Sequence, residues 1–246
     1  MSATNPRFDL QGRVVVITGG GKGIGKVYAR EFARVGARVV AADIAREGGE
    51  ALGLATDISD PVAVEALARA TLERHGGVDV LINNASLMSA LARRSWLEIP
   101  VDEWDRVMAV NLRGMFLCCR AFVPAMRDKG YGKIVNISSS RVWEGTPNRL
   151  HYTTSKAGVI GFTRALAREV GEFGVTVNAV TPGMTQSETQ VQSSSANYLA
   201  TRVAGRAIER VQVPADLVGA VMFLSTPASD FMTGQTVNVD GGKAMH

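Results

Sequence analysis

Short unbroken apolar runs, rich in valine and isoleucine, alternate along this chain with longer stretches of helical periodicity. Residues 13–18 read RVVVIT, and comparable runs fall at 38–42, 53–56, 78–82, 133–137, 175–180 and 235–239. A strand with one wet face alternates apolar and polar residues. A continuous apolar run marks a strand covered on both faces, as in parallel sheets. Helical patterns occupy 26–35, 61–77, 100 to about 126, the stretch around Tyr152 through Gly174, and the segment from Pro214 onward. Pro61 stands in the first turn of its helix, where its missing N–H costs little. The stretch 44–54 holds Gly48 and Gly49 and leaves room for only a stub of helix. Seven strands alternating with helices predict an α/β fold: one domain over 1–246 with a doubly wound, seven-stranded parallel sheet flanked by helices. Residues 184–212 are polar, weakly periodic and long for a connection, which predicts a substrate lid.

The first strand runs into GGGKGIG at 19–25, then a helix, then a second strand ending at Asp43. Glycines there let the backbone approach a pyrophosphate, whose charge the helix N-terminus favours. Asp43 lies eighteen residues after Gly25, about where an acid reaches the hydroxyls of an adenosine ribose. The arrangement is of Rossmann type. The same glycines would also serve an ordinary turn that needs positive φ. In doubly wound sheets ligands sit beyond the carboxyl ends of the strands. The glycine loop, Asp43, Asp57, Asn83, Ser139 and Pro182 all follow strand ends, which argues for a single site.

The fifth apolar run leads into SSSRVWEGTPNRLHYTTSK at 138–156. Tyr152 and Lys156 are four apart and so share a helix face. Ser139 precedes Tyr152 by thirteen residues. A lysine ammonium lowers a tyrosine from its ordinary value of about 10, so that the phenol exchanges protons with an alkoxide nearer neutral pH. A serine hydroxyl fixes the same substrate oxygen. Alone, a Tyr-x-x-x-Lys pattern is weak, because both residues are common on helices. Asn111 sits inside the long helix that starts near Pro100 and Asp102; asparagine is a modest helix former, so it is either exposed there or held for a purpose.

Composition narrows the function classes. The 27 basic and 23 acidic residues give a net charge of +4, and no basic run reaches five. Scattered charge of this kind is a solvated surface and argues against a nucleic-acid partner. No apolar stretch reaches the roughly 18 residues of a membrane span, and residues 1–13 carry no apolar signal core, so a cytoplasmic enzyme without a membrane partner is expected. Cys118 and Cys119 are adjacent in an apolar helical run and read as core thiols. His75, His151 and His246 are widely spaced, and no metal is expected.

These motifs together resemble the short-chain dehydrogenase/reductase family over nearly the whole chain. TGGGKGIG (18–25) resembles the family's TGxxxGxG, and NNAS (83–86) its NNAG, with Ser86 where glycine is usual. TPG (181–183) resembles the turn that holds the nicotinamide, and TGQTVNVDGG (233–242) the C-terminal strand. The resemblance implies Asn111, Ser139, Tyr152 and Lys156 as the catalytic set. Tyr152 would be the acid in reduction and the base in oxidation. Lys156 would lower the Tyr152 pKa and hold the nicotinamide ribose, and Asn111 would hold a water linking Lys156 to solvent. It also implies a cofactor site of Gly19, Lys22, Gly23, Ile24, Gly25, Asp43, Asp57, Ile58, Asn84, Ala85, Tyr152, Lys156, Pro182, Gly183 and Thr185. Ser187 falls where many members carry a threonine.

Asp43 favours NAD over NADP, because a carboxylate accepts from a ribose 2′-hydroxyl and repels a 2′-phosphate. Lys22 pulls toward NADP. For the small-molecule substrate, Arg141, Trp143, Arg149 and Met184 are the pocket candidates, with Leu87, Met88, Val142, His151 and Tyr198 beside them. Trp143 and the methionines suit an apolar or ring-bearing alcohol, and equally suit packing of the lid. The first expectation is NAD-linked interconversion of a secondary alcohol and its carbonyl. The alternatives are an NADPH-linked 3-oxoacyl-thioester reductase and a dinucleotide-binding sensor without turnover; an intact Ser139–Tyr152–Lys156 set counts against the sensor. Members of the family imply a homotetramer or homodimer on the helices carrying Asn111 and Tyr152, with Cys118, Cys119 and Phe122 on or near that surface or in the core.

Overall fold

The computed structural model of the chain describes residues 6–43, 52–188 and 203–245. Each apolar run forms a strand: β1 (Val14–Thr18), β2 (Arg38–Asp43), β3 (Leu52–Ala55), β4 (Val80–Asn83), β5 (Gly132–Ile137), β6 (Val175–Pro182) and β7 (Thr236–Val239). They pair in the order β3-β2-β1-β4-β5-β6-β7, every pair parallel. Every residue of β1, β4, β5 and β6 is buried, as unbroken apolar runs require. The order reverses between β1 and β4, which opens a crevice above their carboxyl ends.

Seven α-helices are described: α1 (Gly23–Arg34), α2 (Pro61–His75), α3 (Val101–Met108), α4 (Gly114–Lys129), α5 (Arg141–Glu144), α6 (Leu150–Val170) and α7 (Ala215–Leu224). Successive strand residues face opposite layers. Val16, Leu81, Ile134 and Val177 pack against α2, α4 and α6 through Leu67, Phe122, Met126 and Val170. Val15, Ile17, Ile82 and Val135 pack against α1 and α7 through Tyr28, Phe32, Leu217 and Val221. Each such buried side chain stabilises the fold by about 1.5–3 kcal/mol. Asp60 caps α2 by accepting the Val62 N–H at 2.9 Å, with Pro61 as its first residue and Gly76 in the left-handed region at its end.

Several expectations change. The first helix starts at Gly23 rather than residue 26; glycine's poor helix propensity hides the true start. Cys118, Cys119 and Phe122 belong to the core and not to a subunit surface. Residues 101–129 form one continuous helical stretch, long and apolar enough by length and composition to cross a membrane, contrary to the reading of the apolar runs. Here Leu117, Phe122 and Met126 of that stretch face the sheet. A π-helical turn, Ala109–Arg113, interrupts it and carries Asn111. The helical stub expected at 44–54 and the lid expected at 184–212 lie outside the described residues over 44–51 and 189–202 respectively.

Candidate active site

A cavity of about 610 Å³ runs along the carboxyl edge of the sheet, from Asp43, Thr56 and Asp57 at one end to Ser139, Tyr152 and Met184 at the other. Its size and polar-studded wall suit a small-molecule or cofactor site. The glycine loop forms the floor near β1. Gly19 has φ +66°, and a Cβ there would lie 2.9 Å from the Ala85 Cα. A Cβ on Gly25 would come within 2.0 Å of the Gly19 carbonyl oxygen, so only glycine allows the loop to close on the first turn of α1. Gly25 is buried behind the loop, while Gly19, Lys22, Gly23 and Ile24 line the cavity.

The turn after β4 is fastened to this loop. The Asn84 and Ala85 N–H groups donate to Thr18 Oγ1 at 3.0 and 3.1 Å, and Asn84 Nδ2 donates to the Thr18 and Gly19 carbonyls at 3.0 and 3.2 Å. Asp43, last in β2, accepts the Gly21 N–H through Oδ2 at 2.9 Å and is almost fully buried. Asp57 follows β3 and turns the chain by accepting from the Ser59 amide and hydroxyl at 2.9 and 2.7 Å. Ile58 lies next to it on the wall.

At the other end, β5 delivers three serines, and their neighbours sort their roles. Ser138 Oγ donates to the Lys156 carbonyl at 2.7 Å, and Ser140 Oγ donates to Glu144 Oε1 at 2.9 Å. Ser139 lines the cavity, and its hydroxyl pulls the Tyr152 pKa down. Tyr152 and Lys156 sit one turn apart on α6, both buried and both on the cavity wall. Lys156 Nζ donates to the Ile137 carbonyl at 2.8 Å and lies 5.8 Å from the Tyr152 ring centroid.

Asn111 stands behind this wall. Its Oδ1 accepts the Leu87 N–H at 2.7 Å, and its Nδ2 donates to the Leu87 carbonyl at 3.2 Å and to Ser155 Oγ at 3.1 Å. Ser155 in turn donates to the Tyr152 carbonyl at 2.7 Å. The buried amide thus clamps the loop after β4 to α6. A π-helical turn re-aims one side chain out of the helical ladder, and such turns cluster at functional sites.

Charge in the site is set by burial. Burial pushes the Tyr152 phenol up, against the pull of the Ser139 hydroxyl, the Arg141 and Arg149 guanidiniums and the Ser86 hydroxyl. Burial pushes the Lys156 ammonium down to about 7. The downward pull on Tyr152 comes from two hydroxyls and two arginines, and Lys156, expected from the sequence to supply it, is not among them. Ser86, the residue in place of the usual glycine, supplies one of those hydroxyls.

Pro182 ends β6, and Gly183, Met184 and Thr185 follow it along the wall. A Cβ on Gly183 would lie 2.8 Å from the Asp240 Cα, and Thr185 Oγ1 donates to the Gly183 carbonyl at 3.0 Å. Arg141 lines the cavity with its NH2 on the Thr146 carbonyl at 2.7 Å, and Arg149 with its NH2 on the Leu91 carbonyl at 2.8 Å. Leu87 and Met88 line it as well. Trp143 is not on the wall: α5 turns its indole away, and Nε1 donates to Thr181 Oγ1 at 3.4 Å. Val142 also lies off the wall, and His151 is fully buried against Glu103, with 3.2 Å between Nε2 and Oε1. Tyr198 lies outside the described residues.

Glu144, Arg106 and Ser59 also line the cavity and were not among the candidates. Glu144 is one turn after Ser140, a spacing that hinted at its partner; Arg106 and Ser59 carried no local signal.

The donors and acceptors fit a nicotinamide dinucleotide: glycine amides for a diphosphate, carboxylates for the adenosine end, and a proton-exchanging pair at the far end. Comparisons agree. The family model described as Enoyl-(Acyl carrier protein) reductase matches residues 19–244. A hydroxy(phenyl)methylsuccinyl-CoA dehydrogenase subunit of Thauera aromatica is 37% identical over 250 residues, covering 96% of this chain and 98% of the relative. A 3-oxoacyl-acyl-carrier-protein reductase of Vibrio cholerae is 33% identical, covering 97% of this chain and 100% of its own length. The crystal structure of a 3-ketoacyl-acyl-carrier-protein reductase from Brucella melitensis, complexed with NADH, superposes with a TM-score of 0.88 at 30% identity, over 96% of this chain and 100% of that one. The likeness thus spans whole relatives rather than isolated motifs, and the chain belongs to the short-chain dehydrogenase/reductase family, enzymes that act on CH–OH groups.

Proposed function

We propose that this oxidoreductase uses NAD(H) to interconvert a secondary, ring-bearing alcohol and its carbonyl. Asp43 carries the cofactor choice. It ends β2 on the cavity wall, fixed by the Gly21 amide, where a carboxylate favours a 2′-hydroxyl over a 2′-phosphate. Lys22 is exposed and makes no side-chain cap to α1, so it recovers little against that repulsion.

At the far end, bound nicotinamide would supply or accept the hydride. Tyr152 gives its phenolic proton to the carbonyl oxygen in reduction and takes it back in oxidation. Ser139, whose hydroxyl acts on the phenol, donates to the same oxygen and places it. Lys156, with its pKa about 7, holds or yields a proton next to the phenol near neutral pH. Asn111 positions the wall through Leu87 and Ser155. The apolar stretch of wall at Leu87, Met88 and Met184 suits a ring, and the Thauera aromatica relative is named for a hydroxy(phenyl)methyl group. An assembly of two or four copies through the helices carrying Asn111 and Tyr152 accompanies this reading; a monomer at every concentration in sedimentation would refute it.

The second reading is an NADPH-linked 3-oxoacyl-thioester reductase. Lys22 on the wall favours it, as does the name of the Vibrio cholerae relative. A panel decides: NAD-dependent oxidation of secondary aromatic alcohols such as 1-phenylethanol, set against NADPH-dependent reduction of acetoacetyl-CoA. Turnover confined to the thioester overturns the first reading.

A further inference from the structure

The first turn of α1 is where this cavity would meet a diphosphate, and the fold already places an anion there. Glu188 Oε1 accepts the Gly23 N–H at 3.0 Å. Gly23 opens a 12-residue helix. The amides of a first helical turn have no intrahelical acceptors, and the helix dipole favours negative charge beside them. A local serine or aspartate usually fills this role. Here Lys22 stands at the cap position and offers no acceptor, so the carboxylate comes from 165 residues downstream.

The segment that brings Glu188 is well tied. Arg206 NH2 donates to the Met184 carbonyl at 2.8 Å, and the Gln186 N–H donates to the Gln212 carbonyl at 2.8 Å. Thr185 and Ser187 are buried on the cavity wall. The chain therefore runs from the Pro182–Gly183 turn, at the catalytic end, to the glycine loop at the other. Its last contact uses a donor that a phosphate oxygen needs.

We infer that Glu188 is an internal competitor for the cofactor's diphosphate, holding the Gly23 amide in the ligand-free enzyme and releasing it when the cofactor binds. The inference rests on the dinucleotide reading above. One N–H cannot serve both anions, and two like charges at contact repel. Cofactor affinity is lower than the bare cradle would give, because part of the binding free energy goes into displacing the carboxylate. The same contact favours release of spent cofactor, a step that limits turnover in many enzymes. Displacement also moves the end of the segment that begins at the nicotinamide turn, so the two ends of the cavity respond together.

The test is a titration of wild type, Glu188→Gln and Glu188→Ala with NADH, NADPH, ADP and adenosine, read by tryptophan fluorescence or calorimetry. Glu188 is exposed, so neither change threatens folding. Both variants should bind NADH and ADP about fivefold more tightly, with adenosine unchanged. The gain should shrink as salt rises, since the removed interaction is between charges. Unchanged or weaker NADH binding in both variants, or an equal gain for adenosine, overturns the assignment. If wild type binds neither NADH nor NADPH, the dinucleotide reading falls and the competitor falls with it. Wild-type binding without a gain in the variants removes the competitor alone.

Discussion

The two ends of the cavity are built by different means. Around β1 and β2 the ligand-facing groups are mostly main-chain amides, and the fit depends on absent side chains: Gly19 and Gly25 approach Ala85 and one another more closely than any Cβ permits. Around β5 and α6 the working groups are side chains that the fold has largely taken out of water: Ser139, Tyr152 and Lys156 are 8%, 7% and 2% exposed. Backbone donors keep their strength and charge whatever the pH. Buried titratable groups change theirs, and burial moves Tyr152 up and Lys156 down. On the proposed reading, the diphosphate and adenosine are held by the first construction and the proton is moved by the second.

The sharpest break between them is Tyr152→Phe. It removes only the proton-exchanging hydroxyl, so turnover should fall by about 10³-fold while NADH affinity stays within about twofold, as the phenol is not among the backbone donors. Parallel steady-state rates and titrations check this; loss of both would mean the two ends are not separable. The converse break is Gly25→Ala. Its Cβ would press within 2.0 Å of the Gly19 carbonyl, so NADH affinity should fall on the order of tenfold to a hundredfold. The rate at saturating cofactor should change much less.

A smaller effect is expected at Asp43. Asp43→Ser removes the carboxylate that opposes a 2′-phosphate and should shift the NADH-to-NADPH affinity ratio about tenfold toward NADPH. Paired titrations measure the ratio; an unchanged ratio would show that Asp43 does not read the ribose.

The smallest effect is on stability and carries a pH signature. Lys156 has a pKa of about 7 in the fold against 10.5 in its ordinary state. Below about pH 7 it is protonated both folded and unfolded, so the full burial cost applies. Between about 7 and 10.5 the unfolded chain binds the extra proton, and stability rises with pH. Lys156→Met removes the charge but also the donation to Ile137. It should therefore stabilise the ligand-free protein by about 1 kcal/mol at pH 6, and the gain should turn into a loss toward pH 10, because the wild type alone gains about 1.4 kcal/mol per pH unit above 7. Denaturant melts at the two pH values check this; a gain independent of pH would contradict the buried-lysine account.

The backbone-built end was the more legible in sequence. A β–loop–α–β unit is local, and its glycines, Asp43 and strand ends fall within about thirty residues. The fourfold spacing of Tyr152 and Lys156 was equally readable, because helix geometry alone puts them on one face. What escaped depended on long-range packing. Trp143 looked like a pocket residue, but a four-residue helix ended by Gly145 at φ +59° turns it toward Thr181. His151 is next to Tyr152 in the chain yet points at Glu103. Asn111 could be read as exposed or held; the π-helical turn that buries it has no signature in residue spacing. Glu188 meets Gly23 across 165 residues, a distance no local pattern spans.

The most direct measurement is a paired equilibrium titration of the wild-type enzyme with NADH and NADPH, read by quenching of its tryptophans. It needs no substrate, and the two ligands differ only at the adenosine 2′ position, at the backbone-built end. The account predicts NADH binding at least about tenfold tighter than NADPH. Tighter NADPH binding would contradict it: Lys22 would then outweigh Asp43, and the thioester reductase would become the leading reading.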